Sequence, residues 1–382
     1  MTGSHRVPAL DGLRGIAILL VIPHNSDTFL AVKNWAFPFA MLAHVGWTGV
    51  QLFFVLSGFL ITSVLLDSRG SGNYYRTFYA RRVLRIFPLY FLILVIFLLL
   101  VPHLVQLSPE TLATYQQQKW LWIFASNWAQ PFQGTVVWFP HFWSLAVEEQ
   151  FYLVWPFLVA LIPLRHLLTT TFVVTALAIG SRVLLFEGAL PADAIYMFTT
   201  TRMDALALGA AAAVIARNGR AMQFVRHHQG MMAGMALVVA MISAAISHAF
   251  DTHDPGTIFI GYSVLAAAAA ILVLTLRAGQ GSGNWLELGF SQPWLRSCGK
   301  YSYAMYVFHL LVVLTIGGEI NGLLQATGTF RPILYSLSVI LISYALGWIS
   351  YHYYERHFLA LKRYFVPNVT EFAPTNPANR DH

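Results

Sequence analysis

Charge and cysteine are scarce in this chain. Only 10% of its 382 residues are charged, whereas soluble domains carry about 25%. Hydrophobic residues make up 57%, and the mean hydropathy is +0.60. The single cysteine, Cys298, excludes an internal disulfide and a cysteine metal cluster. These features predict a polytopic membrane protein whose solvent is the lipid bilayer, without a bound metal, a permanently bound cofactor or a nucleic-acid partner.

Several motifs are also missing. The sequence has no zinc-ligand spacing, no glycine-rich phosphate loop and no nucleophile elbow. Chemistry in this chain must therefore use histidine, carboxylate and arginine. An internal repeat of the kind found in many transporters is also missing. This absence weighs against a membrane transporter or flippase, which nonetheless stays an alternative from another class.

The apolar residues form ten stretches of near-membrane length, each typical of a transmembrane helix of about 20 residues. We therefore predict an all-α fold, a polytopic bundle of about ten transmembrane helices. The stretch at 203–216 is short and alanine-rich. The predicted spans are 13–30, 46–66, 86–102, 142–162, 167–186, 203–216, 231–250, 257–276, 301–318 and 332–352.

The distribution of basic residues predicts the orientation. With the N-terminus in the cytoplasm, all but five of the 23 lysines and arginines lie at cytoplasmic ends or loops, as the positive-inside rule requires. The exceptions are Lys33, Lys119, Arg182, Arg202 and Arg331. We expect both termini in the cytoplasm and a multi-pass protein of the inner (plasma) membrane. One membrane domain should cover 1–365, followed by a short, disordered cytoplasmic tail over 366–382.

Ionisable residues inside membrane helices are costly, which makes them candidates for function. Arg82 and Arg85 are spaced i,i+3, so one helix face presents both guanidinium groups near the cytoplasm. Together with Arg14 they can hold a phosphorylated ligand through bidentate contacts. Positive-inside anchoring explains the same residues without any ligand. The sequence leaves both interpretations open.

His24 follows Arg14 by ten residues, about 15 Å of helix, which places it near mid-membrane. Pro23 and Asn25 flank it, and a proline locally opens a helix. A neutral imidazole there can take a proton from an alcohol. A lone histidine is more often a satisfied core residue, so catalysis requires partners.

Two further spans supply candidate partners. In HFWSLAVEEQFYLVWPF, Glu148 and Glu149 are adjacent carboxylates within a membrane helix, and Ser144 shares a face with Glu148. In GKYSYAMYVFHL, Tyr303, Tyr306 and His309 lie near one stripe. Buried tyrosines usually need only a hydrogen-bond partner, so a supporting role is favoured for both. The aromatic segment 103–141 suits either an interfacial belt or a sugar-binding platform.

Five ordered blocks across the chain resemble the membrane acyltransferase-3 family, whose members often acylate surface polysaccharides and other glycans. The blocks are ALDGLRGIAILLV, GVQLFFVLSGFLIT, FYARRVLRIFPLYF, HFWSLAVEEQFYLVWPFL and GKYSYAMYVFHLLV.

The resemblance implies functional roles for Arg14, His24, Arg82 and Arg85, and for the acidic pair Glu148 and Glu149. It also implies an O-acyltransferase that moves an acyl group, such as acetyl, from acyl-CoA to a hydroxyl of a surface polysaccharide, lipopolysaccharide or other glycan. A cytoplasmic acceptor such as a macrolide or another small glycoside is the alternative within the enzyme class.

One departure from the family concerns the first helix, where the interval from arginine to histidine is one residue shorter than usual. A missing residue rotates His24 by about 100° relative to Arg14. We expect Pro23 to restore the direction through a kink or a local widening of the helix. In the expected mechanism, Arg14, Arg82 and Arg85 bind the phosphates of the donor. His24 acts as a general base or carries the acyl group, and Glu148 orients His24 or the acceptor.

Overall fold

A computed structural model describes residues 7–26, 43–107, 109–133, 138–246 and 251–368, and it contains helices but no strand within those ranges. Ten long helices build it. They are α1 Pro8–His24, α2 Thr48–Ser68, α3 Tyr74–Leu94, α4 Phe142–Leu161, α5 Leu164–Glu187, α6 Thr199–Ile215, α7 Gln229–Ile246, α8 Tyr262–Ala278, α9 Pro293–Leu323 and α10 Arg331–Ser350.

Three of these helices continue as π-helical turns: α3 into Val95–Leu100, α8 from Thr257–Gly261, and α10 into Tyr351–Glu355. Shorter helices connect the long ones. Those of six or more residues are Pro109–Tyr115, Ser126–Gln133, Ala192–Met197, Gly219–His227 and Trp285–Phe290.

Every predicted span overlaps one long helix, which confirms the all-α membrane bundle. Eight helical segments of the described chain are long and apolar enough to cross a membrane. The other two, α1 and α6, have 17 residues each. Most of their side chains are buried between neighbouring helices. These two helices therefore form the centre of the bundle, which explains why the alanine-rich span at 203–216 can be short.

Small residues allow the central helices to approach closely, as is usual where lipid removes the hydrophobic drive for association. Gly299 of α9 packs against the backbone of α1, where a methyl group would overlap the carbonyl oxygen of Asp11. Gly58 of α2 packs in the same way on the carbonyl of Leu206 in α6. These contacts fix α1 between α2 and α9, and α2 between α1 and α6.

The basic ends of several helices meet at one end of the bundle. Arg69, after α2, donates to the carbonyl of Ile162 beyond α4 at 2.8 Å, and Arg217, after α6, pairs with Asp67 at 2.6 Å. This common end agrees with the alternation of spans deduced from the basic residues. The assignment of that end to the cytoplasm stays a prediction.

The aromatic segment between α3 and α4 packs largely inward. Trp122 stacks on Phe91 with ring centroids 6.0 Å apart, and Phe124 stacks on Tyr90 at 4.2 Å. Trp128 is 37% exposed. Most of the described rings therefore hold the segment against α3, whereas Trp128 and Phe132, which is 58% exposed, lie at the surface next to Phe198.

The first span differs from its prediction at the C-terminal end. α1 continues through Pro23 without interruption and ends at His24, so the expectation that His24 lies in mid-helix is wrong. The third span begins earlier than predicted, at Tyr74, which places Arg82 and Arg85 inside α3 and not at its start. Residues 27–30 of the predicted first span lie outside the described chain.

Candidate active site

A cavity with about 700 Å³ of empty volume, part of it open to solvent, lies between five helices. α1 contributes Arg14, and the other walls come from one face each of α2, α3, α4 and α9. The lining residues from these faces are Val50, Phe53, Phe54, Ser57, Arg82, Arg85, Ile86, Ser144, Leu145, Glu148, Tyr152, Ser302, Tyr303 and Tyr306.

The wall formed by α4 gives the cavity its direction. Ser144, Glu148 and Tyr152 recur every four residues, so one helix face presents them over about 12 Å. At the far end of this face, the ring of Tyr152 lies under the guanidinium of Arg82, 5.6 Å from its centroid. At the other end, the hydroxyls of Ser144 and Tyr306 lie 2.6 Å apart. The cavity thus joins a cationic end to a hydroxyl-lined end.

Glu148 is the carboxylate that faces the cavity. Its Oε1 accepts a hydrogen bond from Ser57 at 3.0 Å, and its Oε2 accepts one from Tyr152 at 2.8 Å. Two donors from different helices hold the carboxylate in one orientation. Glu149, the adjacent residue, does not line the cavity, and its Oε1 is buried without a hydrogen-bond partner in the described chain. The rotation of about 100° between neighbouring helix positions separates the two.

The cationic end consists of Arg14, Arg82 and Arg85, which the sequence analysis grouped together. All three line the cavity, and none of them forms an ion pair with a carboxylate of the described chain. Arg81 does not line it, and its Nη1 donates to the carbonyl of Phe365 at 3.4 Å. Arg82 and Arg85, which are spaced i,i+3, therefore line the cavity, and Arg81 does not.

His24 lies just beyond the hydroxyl-lined end and does not line the cavity itself. Its Nδ1 is 2.9 Å from the carbonyl oxygen of Ala43. Gly46, in the short helix Val45–Trp47, packs against the Cβ of His24. The ring therefore faces protein and not lipid. The orientation of the His24 ring is compatible with the one expected from the sequence. The helix α1, however, runs through Pro23 without the expected break.

A hydrogen-bonded chain connects the end of α1 to the cavity. Asn25 Nδ2 lies 3.0 Å from His309 Nε2, and His309 Nδ1 lies 2.6 Å from the carbonyl oxygen of Tyr306. Because a carbonyl can only accept, His309 Nδ1 carries the proton and Nε2 accepts from the Asn25 amide. Tyr306 itself lines the cavity. Asn25 and His309 thus fix the helix end that carries His24, which is a supporting role.

The hydroxyls of Tyr303 and Tyr306 both donate hydrogen bonds to backbone carbonyls. Tyr303 donates to the carbonyl of Ile86 at 2.7 Å, and Tyr306 donates to the carbonyl of His141 at 2.8 Å. Both bonds join α9 to a neighbouring element. The structure therefore places the rings in the wall of the cavity and the hydroxyls in contacts that position that wall.

His141 is a residue that the sequence analysis missed. It is 4% exposed, both ring nitrogens lack a hydrogen-bond partner in the described chain, and its ring lies 4.8 Å from that of His309. A buried imidazole without partners costs stability. The sequence contains one indication of its importance. His141 lies three residues before Ser144, at the start of the helix that carries Glu148 and Glu149.

Arg182 and Arg202 were assigned to the outer ends, and the structure buries both completely. Arg182 pairs with Asp204 at 2.9 Å and donates to Ser263 at 2.6 Å, joining α5, α6 and α8. Arg202 donates to Gln51 at 2.6 Å and lies 4.3 Å from the ring centroid of Tyr262. Neither lines the cavity. No group of three or more metal-binding side chains occurs in the described ranges.

A profile described as the acyltransferase domain matches residues 7–352. The chain belongs to the membrane acyltransferase-3 family. This match confirms the family predicted from the five sequence blocks. The cavity is built from the same blocks, since ALDGLRG supplies Arg14, FYARRVLRIF supplies Arg82 and Arg85, and HFWSLAVEEQ supplies Ser144 and Glu148.

Several relatives of the chain carry names that describe acetyl transfer. The chain is 27% identical to YrhL of Bacillus subtilis, named as a candidate peptidoglycan O-acetyltransferase, over 98% of this chain and 59% of the relative. It is 28% identical to the peptidoglycan O-acetyltransferase OatA of Listeria monocytogenes, over 80% and 49%. The O-acetyltransferase OatA of Staphylococcus aureus is 26% identical, over 93% and 57%.

The chain therefore spans about half the length of the relatives it matches. No solved structure matches it.

Proposed function

We propose that this protein is an O-acetyltransferase of the plasma membrane that moves an acetyl group from acetyl-CoA to a hydroxyl of a cell-wall glycan. The observation that carries the proposal is the convergence of Arg14, Arg82 and Arg85 on one cavity that also contains Glu148. Three guanidinium groups that form no ion pair with a carboxylate of the described chain suit the phosphates of a donor, which Arg binds in a bidentate manner.

The dimensions of α1 support this donor. Arg14 and His24 are ten residues apart in one continuous helix, a rise of about 15 Å. An extended pantetheine arm covers a distance of that order. With its phosphates on the arginines, the thioester would lie near Ser144 and Tyr306, next to the helix end that carries His24. The acceptor is proposed from the relatives, two of which are named for peptidoglycan.

In the proposed reaction, the acceptor oxygen attacks the thioester carbon and the C–S bond breaks. The hydroxyl proton passes to His24 and then to the leaving thiolate, so the donor leaves as free thiol. If His24 instead carries the acyl group, its ring nitrogen attacks the thioester carbon and the C–S bond breaks, releasing the donor as a thiolate. The acceptor oxygen then attacks the acyl carbon, the acyl–nitrogen bond breaks, and the hydroxyl proton passes through the imidazole to the thiolate. Glu148, held by Ser57 and Tyr152, points into the cavity, where we propose that it orients a reacting group.

The test uses the full chain in lipid nanodiscs with acetyl-CoA labelled in the acetyl group and soluble peptidoglycan fragments as acceptor. We expect O-acetylated fragments by mass spectrometry, and no product from His24→Ala. His166→Ala is the matched control, because that imidazole lies on the surface against Arg165. Near-normal turnover by His24→Ala would remove His24 from the mechanism.

The acceptor is tested separately. Mass spectrometry of glycans and small metabolites from cells with and without the intact protein should show loss of acetyl groups from peptidoglycan. Loss from a small glycoside instead would move the acceptor to the cytoplasm. Transport of a solute without any acetyl turnover would contradict the enzyme proposal as a whole.

A further inference from the structure

The segment after α10 folds back over the start of α3. We call residues 361–368 the strap. The amide of Asn73 donates to the carbonyl of Val366 at 2.9 Å and its Oδ1 accepts from the backbone N–H of Asn368, also at 2.9 Å. Phe365 accepts from Arg81, and its ring lies 5.8 Å from the guanidinium of Arg76. The strap is therefore attached to the helix that carries the cavity arginines.

Lys362 belongs to the part of the strap, Leu361–Tyr364, that packs against α3, the helix carrying Arg82 and Arg85. Its positive charge is repelled by Arg85, Arg82 and Arg81, in decreasing order, and no carboxylate of the described chain pairs with it. The side chain is partly buried. Lys362 thus adds a cation to three arginines that form no ion pair with a carboxylate of the described chain, and an anionic ligand would stabilise this group.

The position of Lys362 relative to the cavity limits which phosphate group of the donor it can bind. Arg14, Arg82 and Arg85 line the cavity, whereas Lys362 does not. Acyl-CoA carries two phosphate groups: a diphosphate joined to the pantetheine arm and a phosphate on the 3′ position of the ribose. With the arm in the cavity, the diphosphate would lie at the arginines and the 3′-phosphate would lie farther out. A lysine outside the cavity matches the second group, since its ammonium binds phosphate as a point charge.

We propose that Lys362 of the strap binds the 3′-phosphate of the donor nucleotide and makes the protein discriminate between CoA and 3′-dephospho-CoA donors. This inference rests on the proposed function. It assigns the strap a task in donor recognition, so a segment outside the membrane bundle completes a site that begins within it.

The experiment compares KM for acetyl-CoA with KM for acetyl-3′-dephospho-CoA, using the full chain in nanodiscs. We expect the wild type to prefer acetyl-CoA by about tenfold or more, the usual size of a charge-assisted contact. Lys362→Gln should raise KM for acetyl-CoA to the value for the dephospho donor and leave the dephospho donor unchanged. Lys362→Arg should retain the preference. The control is Arg363→Gln, because Arg363 is exposed and bonded to Tyr364.

The outcomes separate the alternatives. Equal KM changes for both donors, or no change for either, would overturn the role of Lys362. A lipid phosphate is the other source of the same chemistry. If the Lys362→Gln effect appears only in nanodiscs with anionic lipid and is equal for both donors, the lysine binds lipid and the inference fails. If the wild type transfers acetyl from neither donor, the proposed function itself fails.

Discussion

Two groups of buried arginines show opposite ways of placing a cation inside a membrane protein. Arg182, between α5, α6 and α8, is fully buried and bonded to an equally buried Asp204. Arg14, Arg82 and Arg85 instead converge on an empty cavity without a carboxylate partner in the described chain. The first arrangement is complete in the protein alone, whereas we propose that an anion completes the second. Burial of an arginine therefore does not by itself indicate a binding site.

Arg202 adds a third case to the comparison. It forms no ion pair with a carboxylate of the described chain, and it does not line the cavity. Its guanidinium lies 4.8 Å from the ring of Tyr196 and 4.3 Å from that of Tyr262, while Nε and Nη1 have no hydrogen-bond partner in the described chain. Aromatic faces attract a desolvated cation by about 2 kcal/mol or more. What distinguishes the cavity arginines is therefore the cavity that they line, since Arg202 also forms no ion pair with a carboxylate of the described chain.

The largest expected effect is on the paired group. Asp204→Ala leaves Arg182 buried without its partner, which should lower the free energy of unfolding by about 3 to 5 kcal/mol. Asp67→Ala is the control, because its ion pair with Arg217 is on the surface and is worth about 0 to 1 kcal/mol. Reversible unfolding in mixed detergent micelles measures both. An equal loss of unfolding free energy in the two variants would show that burial does not increase the contribution of the ion pair to stability.

The second prediction concerns the unpaired group. Arg85→Ala removes a charge that repels its neighbours, so the protein without donor should stay as stable as the wild type. Donor affinity should fall by about tenfold to a hundredfold, because a hydrogen bond to a charged group contributes about 1.5 to 3 kcal/mol. Thermal unfolding with and without CoA measures both quantities.

Arg165→Ala is the control for that experiment, since Arg165 lies on the surface next to His166. Unchanged CoA stabilisation in Arg85→Ala would return Arg85 to the role of a topological anchor. A large loss of stability without CoA would place Arg85 with Arg182 as a structural residue, and the contrast between the two groups would fail.

The third prediction tests how the carboxylate is held. Tyr152→Phe keeps the ring under Arg82 but removes the hydroxyl that donates to Glu148. We expect turnover to fall by about tenfold, in line with about 1.5 kcal/mol for one such bond, while donor affinity stays nearly unchanged. Tyr79→Phe is the matched control, because Tyr79 donates to the carbonyl of Leu153 on the outside of the same helix. A fall in donor affinity with unchanged turnover would mean that Glu148 serves the arginine end.

Helix positions and the arginine face could be predicted because both depend on local periodicity. The spans follow from runs of apolar residues, and the i,i+3 spacing of Arg82 and Arg85 determines their common face. Which of Glu148 and Glu149 faces the cavity could not be predicted. That choice depends on the rotation of α4 against α2, where Ser57 supplies one of the two donors to Glu148.

The environments of Arg182 and Arg202 could not be predicted from the sequence either. Both follow the charge pattern of outer loops, but their partners, Ser263 and Tyr262, are about 60 or more residues away along the chain. His24 shows the same limit. Its depth was predicted from the helix rise, whereas the end of α1 at His24 depends on Pro23 and on the anchoring of Asn25 by His309.

The smallest effect concerns Glu287, a carboxylate outside the spans that is neutralised neither by arginine nor by a ligand. The backbone N–H groups of Gly281 and Gly283 donate to it at 2.7 and 2.8 Å, and they hold the pKa of Glu287 below its usual range near 4.5. Because the folded pKa is depressed, the contribution to stability is present above the unfolded pKa and is lost as pH falls through the folded value. Hydrogen exchange of residues 281–287, corrected for intrinsic rates, should show less protection below about pH 4.5. Glu287→Gln should remove that dependence, and an unchanged profile would mean that the loop is held by other contacts.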